Sequence, residues 1–494
     1  MIPTPFGLIA IAIALFLLFR ATPLGLLRFM MCCTLFGGSA AFIMTALGNS
    51  SIMPAHLALV FMVGRILLPG SGAYNAVGPA IRSNVFLAFY ALYSAVTAFL
   101  LPRIFAGHIA VASLRPVTLQ SAFDTFPLTF SNQNLTTAVY LVGTLMAAIC
   151  ATVVARRPDS APKIVRTACL IAWVHVAFGV LGVALATVGL GQVLDVFRNG
   201  SYGQLEQSYN GIVRIAGVFP EASAYASYAF VWLVFTFECW MRDLQPRRTG
   251  PAAIALLAIL VFSTSGAAYV SLAGYGVLLV MRFLVFRQNL KPAKAVVILV
   301  AGMLAVVTIL ALMLALPRLA DQLGDMFRHM TVDKADSISG RQRAFWAMQG
   351  LEAFRVSFGL GIGAGSFRSS SLFLAILGST GVIGVAAFLA HLMAVFKPLR
   401  ASTYLTSSDE RQAAGSAASW TVLSLMIPAS ISAASPDPGL TFAVLGGLAL
   451  GWRRLRAPDP RMRPLTRPVA PPQSDLAQAH RLQARPHASS RSLS

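Results

Sequence analysis

Residues 134–190 read NLTTAVYLVGTLMAAICATVVARRPDSAPKIVRTACLIAWVHVAFGVLGVALATVGL. Two apolar runs, 134–154 and 167–190, flank a short connection that holds Arg156, Arg157, Lys163 and Arg166. Each run has the length, about 17–25 residues, that a helix needs to cross the hydrocarbon core of a bilayer. In lipid the backbone must satisfy its own hydrogen bonds, so such a run is read as α-helix. The stretch is a transmembrane hairpin whose turn lies on the side that collects lysine and arginine.

The same design extends in both directions. Apolar runs near 6–20, 26–47, 52–68, 85–101 and 222–240 are followed by others near 251–264, 266–285, 295–316, 371–395, 415–431 and 439–452. The predicted fold class is an all-α polytopic membrane protein with about 13 transmembrane helices. Of the 494 residues 57% are hydrophobic and 11% charged, where a soluble domain carries about 25% charged residues. That excludes a soluble enzyme, a secreted domain and a disordered chain. The transmembrane domain is expected over 1–452, with polar outer loops at 102–133, 191–221 and 317–370, and a basic tail over 453–494.

Charge sets the orientation. The net charge is +21, and with the tail inside, alternation puts about 27 of the 38 basic residues in the cytoplasm. The tail is rich in Arg, Pro and Ser, cannot bury a core and is read as disordered. Its arginines suit an anionic inner leaflet, so membrane lipids and not nucleic acid are the expected partners of this charge. The N-terminal Met1–Pro5 leads into a membrane helix and lacks the basic start of a signal peptide. The five cysteines fall in apolar runs without metal-ligand spacing, and neither a metal nor a cofactor is expected. The seven histidines form no recognisable motif and are read as non-catalytic.

Chemistry concentrates in the outer loops. In RIAGVFPEASAYASY (214–228), Arg214 offers a cation and Glu221 a carboxylate at the mouth of a span, where charge is costly unless partnered or functional. The bland alternative for Glu221 is a carboxylate that stabilises a helix start. The loop 317–370 is long enough to be functional or disordered, and its aromatic content favours order. Within it SGRQRAFWAMQGLEAF (339–354) reads as a helix capped by Ser339. Ala344, Ala347, Met348 and Leu351 make one apolar stripe for the membrane interface, with Arg341 near its edge and Arg343 turned away. FGLGIGAGSFRSSS (358–371) then supplies Gly363, Gly365, Ser366, Arg368 and Ser369 just before a span. A glycine-rich turn at a helix start is a candidate anion site, and glycine also serves simple tight turns.

The ordered motifs RxxGxFxEAS, SGRQRAFW, GxGxGSxRSS and GSTGxIG resemble the Wzy-type polysaccharide polymerase and O-antigen ligase superfamily over roughly 100–450. The resemblance implies a metal-independent type C glycosyltransferase of the bacterial inner membrane with a large periplasmic loop and a cytoplasmic C-terminus. Its donor would be a polyprenyl-diphosphate-linked oligosaccharide. Arg214, Arg341 and Arg368 would meet the diphosphate, with Arg343, Gly363, Gly365, Ser366 and Ser369 as substrate-binding neighbours. Glu221 would act as general base on the acceptor hydroxyl, with Asp195, Glu206, Asp333 and Asp336 as open alternatives. Ligases of the superfamily carry a histidine where this chain has Ser366–Ser371, which favours a polymerase working beside flippase and chain-length or export proteins. Three other readings stay open: a ligase with another acceptor, a lipid-linked glycan flippase or transporter, and a non-catalytic subunit of a polysaccharide export complex that docks through the basic tail.

Overall fold

A computed structural model of the chain describes residues 2–45, 50–114, 123–200, 208–209, 212–285, 292–315, 324, 337–396 and 409–452. The basic tail and most of the first half of the loop 317–370 lie outside the described residues, as do the alternative carboxylates Glu206, Asp333 and Asp336.

The chain is mostly helical. It opens with α1 (Pro5–Arg20) and α2 (Pro23–Cys33), both started by a threonine that accepts a hydrogen bond from the helix N-terminus and by a proline in the first turn. Next come α3 (Pro54–Leu67), the short α4 (Val77–Ser83) and α5 (Val85–Ile104). The opening hairpin of the sequence is α6 (Asn132–Ala155) and α7 (Ser160–Thr187). Ser131 and Asn134 form a capping box at the start of α6, and Pro158 cannot continue a helix in the connection. Then follow α8 (Ala222–Met241), α9 (Pro246–Val261), α10 (Gly266–Val285), α11 (Pro292–Ala315) and α12 (Ile338–Val356). The last three are α13 (Leu372–Phe396), α14 (Glu410–Ser432) and α15 (Gly439–Gly451). Among the described residues 6 helices are long and apolar enough to cross a membrane: α5, α6, α7, α10, α13 and α14.

Three expected spans differ in form. The run 26–47 is not one helix: α2 stops at Cys33, and the chain continues to a small antiparallel sheet of β1 (Ile2–Pro3), β2 (Phe42–Met44) and β3 (Ser50–Ile52). The freed backbone finds partners in the segment before α8: Asn199 accepts from the Ala40 N–H at 2.7 Å, and Gly38 accepts from the Gly200 N–H at 3.0 Å. The run 371–395 bends sharply at Gly381, whose φ of 61° and ψ of −157° are non-helical. Phe373 and Phe388 pack with ring centroids 6.3 Å apart, whereas residues fifteen apart in a straight helix are separated by about 22 Å. The two legs of α13 therefore double back on each other.

The third is the run 439–452. Thr144, halfway along α6, donates to Asp437 at 2.7 Å, and Tyr90 of α5 donates to the Pro436 carbonyl at 2.6 Å. The turn 433–438 thus reaches the middle of α6, and α15 starts there. It packs against α6 through a small-residue ridge: a Cβ on Gly447 would stand 2.2 Å from the Ala148 carbonyl oxygen, and one on Gly451 2.5 Å from Ala155.

One end of the bundle is stitched by basic residues. Arg65 donates to the Ala21 carbonyl, Arg28 to Thr167, and Arg411 to the Ala155 and Arg156 carbonyls. Nearby, Glu238 of α8 is fully buried and paired with Arg242 and with Arg282 of α10, while Tyr275 donates to it at 2.7 Å. Arg282 lies over the Trp420 ring of α14, 4.7 Å from its centroid. This network holds α8, α10 and α14 together where they leave the core.

Candidate active site

At the opposite end the polar segments interlock. Arg368 N–H donates to the Ala112 carbonyl at 2.8 Å, and Ser369 N–H to Ala434 at 3.0 Å. Ser370 donates to the Arg343 carbonyl at 2.6 Å, and Asn134 of α6 donates to the Ala364 carbonyl at 2.8 Å. Ala112, the segment 343–370 and Ala434 are thereby fixed to one another and to α6.

Between them lies a cavity of about 680 Å³. Its wall contains three arginines, Arg214, Arg343 and Arg368, and one acidic residue, Glu221. Among the described residues the first turns of four helices also line it: Ser223 of α8, Gly266 and Ala267 of α10, Ser339 and Gly340 of α12, and Leu374 of α13. Amides at a helix start have no intrahelical acceptor, and the helix dipole makes that end positive. Three guanidinium groups, one carboxylate and four helix starts give the cavity a lining that suits an anion.

The segment carrying Arg214 and Glu221 is buttressed from behind. Gly217 takes a left-handed φ of 52°, and its carbonyl accepts from Arg198 Nε at 2.9 Å. Phe219 packs edge-on against the buried ring of His175, which in turn stacks on Tyr225 with centroids 3.9 Å apart. Glu221 is the residue before α8, yet its side chain makes no capping bond. Instead its carboxylate accepts from the Ser223 hydroxyl. Glu221 thus stands at the start of α8 without capping it, a position that also suits a carboxylate stabilising the helix dipole.

Burial pushes the Arg214 and Arg368 guanidinium groups below the usual arginine range; the Glu221 carboxylate opposes the shift and Arg343 adds to it. Both stay charged near neutral pH, because an arginine has that much room above it. The mutual influence of all four groups means that they share one electrostatic neighbourhood. The Arg368 guanidinium also lies over the Trp346 ring, 4.2 Å from its centroid, a cation–π contact.

The structure sorts the predicted residues. Arg214, Glu221, Arg343, Arg368 and Ser369 all line the cavity. Arg341 does not: it is exposed, while Arg343 is half-buried. The expected helix 339–354 spans Ile338–Val356 and is capped by Ser337, which accepts from the Gly340 N–H, and not by Ser339. Its apolar stripe is divided: Ala344 and Ala347 line the cavity, Met348 is 55% exposed, and the packed face is Gln349, Gly350 and Ala353. Arg343 falls in line with that packed face at spacings of three and four, which reverses the relative placement of the two arginines.

Gly363, Gly365 and Ser366 are also absent from the cavity wall. Gly363 and Gly365 have φ of 98° and 85°, and a Cβ on either would clash, at 2.6 Å with Pro102 and at 2.5 Å with the Gln133 carbonyl. Their role is to let the turn lie directly on α5 and α6. Ser366 donates to the Ile362 carbonyl and accepts from Asn134, so its hydroxyl is spent on the interlock. Asp195 pairs with Arg198 at 3.9 Å and is not in the cavity wall. Sequence reasoning missed Trp346, Ser223 and the start of α10. Of these Trp346 and Ser223 left a trace, each inside a quoted motif, and the start of α10 left none.

Taken together the fold is that of a helical protein with the make-up of a polytopic membrane protein. No protein family, no curated protein and no solved structure matches the chain.

Proposed function

We propose that the chain is a metal-independent glycosyltransferase of the bacterial inner membrane. In this reading it polymerises polyprenyl-diphosphate-linked oligosaccharide units at the periplasmic face, with about thirteen crossings and a cytoplasmic C-terminus. One observation carries the reading: three arginines, one carboxylate and four helix starts share a single cavity. A diphosphate matches such a lining in charge and in hydrogen-bond acceptors.

The acceptor hydroxyl oxygen attacks the anomeric carbon of the donor glycan. The new carbon–oxygen bond forms as the bond from that carbon to the phosphate oxygen breaks, and polyprenyl diphosphate departs with the electron pair. Arg214, Arg343 and Arg368 stabilise the charge that develops on it. The hydroxyl proton goes to the Glu221 carboxylate, which the Ser223 hydroxyl orients. Trp346 steadies the Arg368 guanidinium for bidentate contact with phosphate oxygens. The arginines take the charge-neutralising part that Mg²⁺ plays in other phosphate chemistry.

The test is turnover. Purified protein in lipid nanodiscs, given a labelled polyprenyl diphosphate oligosaccharide, should yield a ladder of longer glycans and free polyprenyl diphosphate. Arg214→Ala and Arg368→Ala should abolish it while the protein stays folded. A single transfer to a different acceptor would make it a ligase. Binding without turnover would make it a transporter.

A further inference from the structure

The turn between α9 and α10 has features that packing does not explain. Thr264 sits at φ 49°, a left-handed conformation that is rare for a β-branched residue. Ser265, which follows it, is 0% exposed and lines the cavity, yet its hydroxyl has no hydrogen-bond partner among the described residues. The hydroxyl of Thr264 is in the same condition. Buried side-chain hydroxyls are nearly always paired. Ser263, one residue earlier, obeys that rule by donating to the Leu260 carbonyl at 2.7 Å.

Ser265 stands immediately before the 20-residue α10. Its own carbonyl accepts from the Ala268 N–H at 2.9 Å, so the helix begins at once. Gly266 and Ala267 line the cavity with the serine, and Gly266 has no side chain to cover the first amides. On the next turn Val270 lines the same cavity and is 46% exposed. Val277 and Leu284 follow it at intervals of seven, on one face of α10, at 60% and 63% exposure. An apolar track therefore leads away from this part of the wall.

We propose, resting on the reading of the cavity as a diphosphate site, that the Ser265 hydroxyl and the first amides of α10 form a second oxyanion subsite. It holds the phosphate esterified to the polyprenyl chain, the chain itself lying along Val270, Val277 and Leu284. The arginines hold the phosphate that bears the sugar. A buried hydroxyl and helix-start amides suit a phosphate diester oxygen that carries less charge, while the arginines meet the charge released when the sugar leaves.

The experiment uses the full chain in detergent and measures binding of farnesyl diphosphate and farnesyl monophosphate. Ser265→Ala should weaken both by about tenfold, the loss of one charge-assisted hydrogen bond. Arg368→Ala should weaken the diphosphate far more than the monophosphate. Ser263→Ala, whose hydroxyl is bonded elsewhere, should change neither affinity, and thermal unfolding of each variant checks the fold. If Ser265→Ala leaves both affinities intact while Arg368→Ala still weakens the diphosphate, the subsite is overturned and the cavity reading survives. Weakening of the diphosphate alone would overturn the placement of the chain-bearing phosphate. No binding by the unaltered protein, or binding indifferent to Arg368→Ala, would overturn both.

Discussion

Replacing Arg343 by alanine takes one of three guanidinium groups out of a wall that also carries Glu221. The formal charge of the lining falls from two positive to one. A preorganised donor aimed at charge that develops in a transition state is worth about 2.7–4 kcal/mol, or about 10²–10³ in turnover. Arg343 is only half-buried, so solvent screens part of this and a loss of about 10²-fold is expected. Its neighbours do not compensate. Arg343 holds the proton affinity of Arg214 and Arg368 down, so its removal moves both back towards the ordinary arginine range without adding a charge. Arg341→Ala is the paired control, two residues away on the exposed side of the same helix, and should stay within about twofold, as surface changes of about 0.5 kcal/mol do. Polymer formed from labelled polyprenyl diphosphate oligosaccharide by each purified variant, with thermal unfolding alongside, measures both. Equal losses in the two variants, or full turnover in folded Arg343→Ala, would refute the placement of the charge.

Other expectations follow from the same geometry. Glu221→Gln keeps the size and the bond from Ser223 but removes the base, so turnover should fall about 10²–10⁴-fold while stability hardly changes; activity that survives in this variant would remove Glu221 from the chemistry. The unaltered enzyme should keep its turnover in EDTA, and loss of polymer there would disprove metal-independent catalysis. Glu238→Gln leaves two buried arginines without their counter-charge and should destabilise the protein by about 3–5 kcal/mol, read as a lower unfolding temperature. Gly363→Ala forces a Cβ into Pro102 at a left-handed φ; it should cost both stability and turnover although the residue touches no substrate. A cysteine in place of the exposed Arg341 should react with a membrane-impermeant maleimide from the periplasmic side, and one in place of Asp409 only after the membrane is opened.

How much of this was legible beforehand follows a physical line. Hydropathy reports how apolar a stretch is, so α5, α6 and α10 were readable to within a few residues, while α7, expected from 167, starts at Ser160, its first two turns carrying Lys163 and Arg166. It does not report whether the helix is continuous. The run 26–47 is largely apolar, yet α2 ends at Cys33 and residues beyond it bond to Asn199 and Gly200. The bend at Gly381 is equally silent, since a glycine inside GSTGVIG is compatible with a straight helix. In the site, residue type was readable and direction was not. An amphipathic stripe fixes which residues share a face, but not whether that face meets protein or lipid, and that choice exchanged Arg341 for Arg343. Ser265 gave no signal, because a serine before a glycine at a helix start is ordinary until its lack of a partner is seen.

The backbone interlock around 361–371 has a consequence for how this protein can change over time. Arg368 is carried by a stretch pinned through main-chain groups to Ala112, Ala434 and the residues of α13. Main-chain bonds are indifferent to side-chain identity. Substitutions along the polar segments that rim the cavity can therefore alter which sugars are accepted without moving the cation that meets the phosphate. Only the glycines lying on α5, α6 and α13 are forbidden to vary. On the proposed reading, such a division would leave glycan preference free to change while the phosphate-binding wall stays fixed.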